Sequence, residues 1–327
     1  MEYRTLGRTG LKISTLGFGC GNVGGLMVRG DHADRVRAAT RAIELGVNFF
    51  DTAPDYGRLV SEANLGLVLE ELEADVLVGT KVRPNAASVG DIEAAIVSSV
   101  EDSLKRLRRE RVDLIQLHNA IAAQRQPDRG WVGVEDVPSV VRAFQSLQEQ
   151  GKVRFWGITA TGESEALHQV VGSGAVYTMQ TCYNLLNPTS GVRAPPGFPF
   201  QDYGQLIDRA AEGQMGVIVI RALAGGALSG AVDRHPIAAP SVGPIATGAD
   251  YGEDVRRAQA FRFLVEDGYA GSMVEAALRF VITNPAVSTT LVGLSSLDQL
   301  EQAVAYVNKG PLPLEALQRL QAVWAGM

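Results

Sequence analysis

The sequence predicts an α/β fold: a closed (β/α)8 TIM barrel with an N-terminal β-hairpin and a C-terminal helix. Three observations carry that prediction. Eight short apolar runs recur along the chain, and each is followed by a longer amphipathic stretch. Strands that alternate with helices, rather than clustering in blocks, favour a parallel sheet covered by its own crossovers. No linker or break in composition divides the 327 residues, a length that suits one barrel, so 1–327 is expected to form a single domain.

The elements follow in order. Residues 3–14 carry two short strand-like runs around a turn bounded by Gly7 and Gly10, which reads as a hairpin. The first barrel strand is expected over 16–19, with a helix over 33–45. The second spans 47–51, with a helix over 62–73. The third spans 76–81, with a helix over 88–109 whose start Ser88 and Asp91 would cap. The fourth spans 112–118 and its helix 139–150. The fifth spans 153–158 and its helix 163–171. The sixth spans 176–180 and its helix 203–212. The seventh spans 216–220, followed by helices over 255–266 and 273–283. The eighth spans 288–292 and its helix 297–307, and a final helix over 313–324 is expected to lie across the barrel. Three connections, 119–138, 181–202 and 221–254, exceed the usual length for such units. All three follow a strand, which puts them on the face where barrel enzymes build their sites. The stretch 231–249, rich in Gly, Ala and Pro, is expected to be mobile.

Composition excludes several function classes. Hydrophobic residues make up 46% of the chain, enough for a large core, and the net charge of −6 disfavours a nucleic-acid partner. No apolar run approaches the ~20 residues needed to span a membrane, and the N-terminus has no signal-peptide core. Cys20 and Cys182 make no disulfide framework, and neither they nor the four scattered histidines have metal-ligand spacing. A cytoplasmic protein without a metal, a membrane or a nucleic-acid partner is the expectation.

The chemistry concentrates at strand ends. The second apolar run stops abruptly in Asp51, and Pro54 and Gly57 turn the chain so that Tyr56 stands on a pinned loop. The third run leads into Lys81 and the fourth into His118. Neighbouring strands lie about 4.8 Å apart, so equivalent strand ends can bring these groups within hydrogen-bond reach. A phenol is a poor acid at neutral pH, but a nearby ammonium favours the phenolate and lowers its pKa. A carboxylate keeps that ammonium charged, and an imidazole can position a carbonyl oxygen against the phenol. Together the four groups are suited to proton transfer to a carbonyl. Taken singly, each has a plainer reading: an ion pair at the rim for Asp51 and Lys81, a structural histidine, a loop aromatic. Their joint occurrence at consecutive strand ends is what favours a site.

The stretches Asp51-Thr-Ala-Pro-Asp-Tyr-Gly, Ser61-Glu-Ala-Asn-Leu-Gly, Gly79-Thr-Lys, Leu104-Lys-Arg-Leu, Val112-Asp-Leu-Ile-Gln-Leu-His and Gln180-Thr-Cys-Tyr-Asn resemble the aldo-keto reductase superfamily over nearly the whole chain. The opening Tyr3-Arg-Thr-Leu-Gly resembles its bacterial branch. The resemblance implies an NAD(P)-dependent oxidoreductase, an aldo-keto reductase or alcohol dehydrogenase, moving a hydride between nicotinamide and a carbonyl or hydroxyl carbon. Aldehydes, ketones and sugar-type compounds are the implied substrates. By match to the family tetrad, Tyr56 would be the general acid/base, Lys81 its tuner, Asp51 the partner of Lys81 and His118 the carbonyl-orienting group. Gln180 would contact the nicotinamide carboxamide. The family's habit favours NADP(H), with NAD(H) possible.

Three positions depart from the family. Thr159-Ala160 stands where many members have Ser-Asn, so the hydroxyl is kept and the amide is lost. Ile220-Arg221 replaces an aromatic that stacks under the nicotinamide. Ser295 stands where a basic residue grips the adenosine 2′-phosphate, in a stretch that also supplies Gly293 and Gln299 as cofactor contacts. Gly225 and Gly226 are candidates for close backbone approach to a phosphate. Residues 19–24 match G-x-G-x-x-G, but further residues intervene before the next expected helix, so they read as a flexible glycine loop. The run of basic residues over 105–111 reads as a solvated helix end. Two rival functions stand beside the main one: a nucleotide-sensing binding module, since the family includes potassium-channel β subunits, and a barrel lyase using Lys81 as a Schiff-base amine.

Overall fold

The chain opens as the predicted hairpin, β1 (Tyr3–Thr5) pairing antiparallel with β2 (Lys12–Ser14) in a computed structural model that describes residues 1–84, 92–231 and 233–326. Leu6, Leu11 and Ile13 of this hairpin pack with Phe49, Leu114, Ile218 and Leu291 to form a small apolar cluster. Burying these side chains offers each about 1.5–3 kcal/mol of hydrophobic stabilisation, which seats the hairpin on the barrel strands.

The strand–helix units then follow. After β3 (Leu16–Gly19) come a single turn, α1 (Leu26–Arg29), and α2 (His32–Glu44). The Asp31 side chain caps α2 by accepting from Asp34 N–H. β4 (Phe49–Asp51) leads to α3 (Val60–Glu71), β5 (Leu77–Val82) to α4 (Ile92–Leu107), and β6 (Val112–Leu117) to two-residue strands β7 (Ile121–Ala122) and β8 (Val132–Gly133) before α5 (Val137–Glu149). β9 (Val153–Ala160) precedes α6 (Ser164–Gly172), and β10 (Thr178–Cys182) precedes α7 (Leu206–Glu212). β11 (Gly216–Ile220) is followed by α8 (Tyr251–Ala258), α9 (Phe263–Glu266) and α10 (Met273–Thr283). β12 (Val287–Gly293), α11 (Leu297–Val307) and α12 (Leu314–Ala325) complete the chain.

Eight strands close in the order β10-β11-β12-β3-β4-β5-β6-β9, and every neighbouring pair is parallel. The predicted (β/α)8 barrel is what forms. Strands buried on both faces read as unbroken apolar runs, and helices contribute one apolar stripe, which is why the alternation was visible in the sequence. α12 anchors by its Trp324, whose indole Nε1 donates to Leu185 O at 2.8 Å.

Local differences have physical causes. The helix expected over 255–266 is split into α8 and α9, joined by a 3-10 turn over Gln259–Phe261. The start of α8 is fixed by Asp250, which accepts from Glu253 N–H. The long connection after β6 is not bare, since β7 and β8 pair parallel, Ile121 opposite Val132. Two-residue strands are too short to show a period. The proposed Ser88–Asp91 cap lies outside the described residues. The glycine loop at 19–25 ends in α1, and its closeness to the end of β12 explains one glycine: a Cβ on Gly24 would lie 2.2 Å from Leu294 N.

Candidate active site

Asp51 ends β4, and Lys81 lies near the end of β5. The register pairs Asp51 with Gly79, so Lys81 sits two residues closer to the rim and reaches back. Its Nζ donates to Asp51 Oδ1 and to Thr52 O at 2.8 Å, with the lysine side chain only 1% exposed. The second carboxylate oxygen, Asp51 Oδ2, accepts from Gln180 Nε2 at 2.6 Å across the barrel. Each charge is therefore buried with partners, the condition under which a desolvated ion pair can persist. Burial alone pulls the Lys81 ammonium down. Attraction to Asp51 and Tyr56 outweighs it, and the net direction is up.

Tyr56 follows a turn in which its N–H donates to Ala53 O at 3.2 Å. The next three residues, Gly57, Arg58 and Leu59, have φ of 64°, 53° and 76°. Two of them are not glycine, at a cost of about 1–3 kcal/mol each. Gly57 N–H is held by Asn22 Oδ1 at 2.8 Å. The loop so pinned places the Tyr56 ring 4.7 Å from Lys81 Nζ. The His118 ring stands edge-on to it, at 6.0 Å between centroids. The sequence reading had Lys81 lowering the phenol's pKa, and the structure corrects the balance. Burial, the largest influence, pushes Tyr56 above its ordinary value, Lys81 pulls it down, and Asp51 and Asp55 push it up; the net direction is up.

Behind the site, Glu62 is fully buried and accepts from Thr80 Oγ1 at 2.6 Å and from Arg106 Nε at 2.7 Å. Ser61 Oγ donates to Cys20 O at 2.8 Å and lies 2.8 Å from Thr52 Oγ1. These contacts fix the residues on either side of Asp51 and Lys81. Asp55 is the member that sequence reasoning missed. Its Oδ1 is 3.3 Å from His118 Nδ1, and its Oδ2 is 3.6 Å from Arg83 Nη1. Partial burial works against its charge, but His118 and Arg83 outweigh that and hold the carboxyl at about 2. Its only sequence signal was its place beside Tyr56.

The remaining predicted positions spread along the same rim. Thr159 stands beside Gln180 in the β9–β10 register, and its buried Oγ1 has no hydrogen-bond partner among the described residues. Arg221 takes φ of 59°, its carbonyl accepting from Asn184 Nδ2 at 3.0 Å. Its Nη1 donates to Gly243 O at 3.2 Å, and burial pulls the guanidinium's pKa down. Gly225 and Gly226, at φ of 69° and 111°, follow in a short 3-10 segment. A Cβ on Gly225 would lie 2.9 Å from Arg221 Nη1. At the far side, Ser295 Oγ donates to Gly24 O at 2.6 Å and Ser295 N–H donates to Gln299 Oε1 at 2.8 Å. Gln299 N–H donates to Ser296 Oγ, capping α11. The contacts seen for Ser295 and Gln299 thus fasten the loop and the helix start, with Gly293 packed against Gly24. The orphaned Thr159 hydroxyl beside Gln180, and the left-handed glycines beside Arg221, fit a carboxamide and a phosphate respectively. Among the described residues, no group of three His, Cys, Asp or Glu side chains could hold a metal ion, and no helix is long and apolar enough to cross a membrane.

Comparison with known proteins agrees with this geometry. The model of the aldo/keto reductase family matches residues 15–325. L-galactose dehydrogenase of Arabidopsis thaliana is 28% identical over 318 residues, covering 94% of this chain and 89% of the relative. The uncharacterized oxidoreductase YqkF of Bacillus subtilis is 25% identical over 348 residues, covering 98% and 96%. Among solved structures, the holo form of aldo-keto reductase AKR11C1 from Bacillus halodurans superposes with a TM-score of 0.73 at 25% identity, covering 99% of this chain and 96% of that one. Family and holo neighbour together imply an oxidoreductase that takes a nicotinamide cofactor. A barrel whose rim gathers these groups, matched by the family model over nearly all its length, makes this chain a member of the aldo/keto reductase family.

Proposed function

We propose that this protein is an NAD(P)-dependent reductase or alcohol dehydrogenase acting on a small aldehyde, ketone or sugar-type alcohol, with Tyr56 as general acid/base. The observation that carries the proposal is the nearness of the Tyr56 ring to both the Lys81 ammonium, at 4.7 Å, and the His118 imidazole, at 6.0 Å. When bound, the nicotinamide supplies or takes up the hydride. Gln180, Thr159, Arg221, Gly225 and Gly226 are the residues proposed to hold the cofactor, with Gly293, Ser295 and Gln299 at its adenosine end.

The residues of the chain handle the proton. In reduction the Tyr56 hydroxyl gives its proton to the substrate oxygen, leaving a phenolate that the Lys81 ammonium stabilises. In oxidation the phenolate takes the alcohol proton. His118 hydrogen-bonds the substrate oxygen and sets it against the phenol, while Asp51 keeps Lys81 charged and aimed. Ionised Lys81 is a poor Schiff-base nucleophile, because the free amine is what attacks a carbonyl; its raised pKa therefore disfavours the lyase reading.

Tyr56→Phe tests the proposal. The ring and its packing stay and only the hydroxyl goes. The expected result is a fall in kcat of about 100-fold or more at near-normal cofactor affinity. Near-normal kcat in a pure preparation would remove Tyr56 from the role.

A further inference from the structure

We propose that Asp55 is a positioning residue that decides which nitrogen of His118 faces the substrate oxygen. The inference rests on the function proposed above. Asp55 Oδ1 lies 3.3 Å from His118 Nδ1, a buried nitrogen with no aligned hydrogen bond among the described residues. Arg83, 3.6 Å from Asp55 Oδ2, occupies the other carboxylate oxygen and leaves Oδ1 to the imidazole. The 3.3 Å separation is close to hydrogen-bond distance, so the pairing requires only that the N–H point at that oxygen. Asp55 is held as a carboxylate at any working pH, its carboxyl lying at about 2.

A neutral imidazole has one N–H and one lone pair, and the hydrogen bond made by one nitrogen sets the state of the other. With the proton on Nδ1 facing Asp55, neutral His118 offers only the Nε2 lone pair, which cannot hydrogen-bond a carbonyl oxygen. Protonated on both nitrogens, it offers Nε2–H to a carbonyl oxygen. Asp55 thus ties the Nε2–H that holds the substrate oxygen, in both directions of the reaction, to the doubly protonated ring. Among the described residues, the other charged groups near the imidazole are Arg83, paired with Asp55, and Lys81 with Asp51, which lie against Tyr56. Tyr56 itself faces the ring, and with its pKa raised it stays protonated between about pH 6 and 9. Over that range Tyr56 is a constant proton donor, so a difference in pH dependence between variants reports the pairing of Asp55 with the imidazole.

The test uses the full-length protein, 15N-labelled, with the His118 ring signals assigned by their loss in His118→Asn. Two-bond 15N–1H spectra show which nitrogen carries the proton. The expected result is Nδ1–H in the wild type and in Asp55→Asn, whose amide oxygen still accepts, and a shift to Nε2–H in Asp55→Ala. The kcat for carbonyl reduction should fall about tenfold between pH 6 and 9 in the wild type and in Asp55→Asn. It should fall only about twofold in Asp55→Ala, where the neutral ring still donates from Nε2. One tautomer shared by all three proteins would overturn the pairing. A tautomer shift with unchanged pH dependence would overturn its link to the reaction. Absence of any hydride transfer by the wild type would instead overturn the proposed function, and the spectra would still decide the pairing.

Discussion

Gln180 and Asp51 meet across the barrel mouth, the amide Nε2 donating to carboxylate Oδ2 at 2.6 Å, while Lys81 occupies Oδ1. Both oxygens of a buried carboxylate are thereby committed before any ligand binds. The pair joins β4, β5 and β10, so the site is braced from three strands.

Asp51→Asn should therefore be felt in stability as well as activity. It leaves the Lys81 ammonium in a fully buried position without its counter-charge. Removing one partner of such a pair costs about 3–5 kcal/mol, which urea titration of the unliganded protein reads directly. A change under about 1 kcal/mol would mean that water or a rearranged neighbour compensates the lysine.

The pH dependence of the two directions should diverge. Because burial holds the Tyr56 pKa above its ordinary value, the phenol is protonated across neutral pH and the phenolate forms only in alkali. Alcohol oxidation should therefore keep climbing with pH well into the alkaline range. Lys81→Met removes the main influence that lowers this pKa, so residual oxidation should move to still higher pH. An unaltered profile would contradict the tuning role of Lys81.

Cofactor affinity should depend on Arg221. Its guanidinium lies beside Gly225, with one hydrogen bond among the described residues, of 3.2 Å to Gly243 O. Arg221→Met should weaken NADPH and NADH alike, by about tenfold or more, if it meets the pyrophosphate both share. Ser295 carries no charge and already donates its hydroxyl to Gly24 O. The preference for NADPH is accordingly expected to stay under about a hundredfold. Fluorescence quenching at one ionic strength measures both, and a thousandfold preference would point to another basic residue at the 2′-phosphate.

Gly24→Ala probes the seam between the loop at 19–25 and the end of β12. The added Cβ would fall 2.2 Å from Leu294 N, a backbone atom that cannot swing aside. Thermal unfolding should show a loss of about 1–3 kcal/mol. The contact between Ser295 Oγ and Gly24 O should loosen with it, and cofactor affinity should fall.

The sequence by itself determined the barrel and the gathering of Asp51, Tyr56, Lys81 and His118. Both are written in local pattern: doubly buried strands are largely apolar runs, and polar residues at or just past their C-terminal ends are delivered to the rim. Tertiary structure alone decided what depends on distance through space. The bond from Gln180 to Asp51 joins residues 129 positions apart, and the pairing of Asp55 with His118 joins two strand ends. The direction of the Tyr56 shift was likewise decided by burial, which sums over every neighbour and outweighs the single ammonium that the sequence placed nearby.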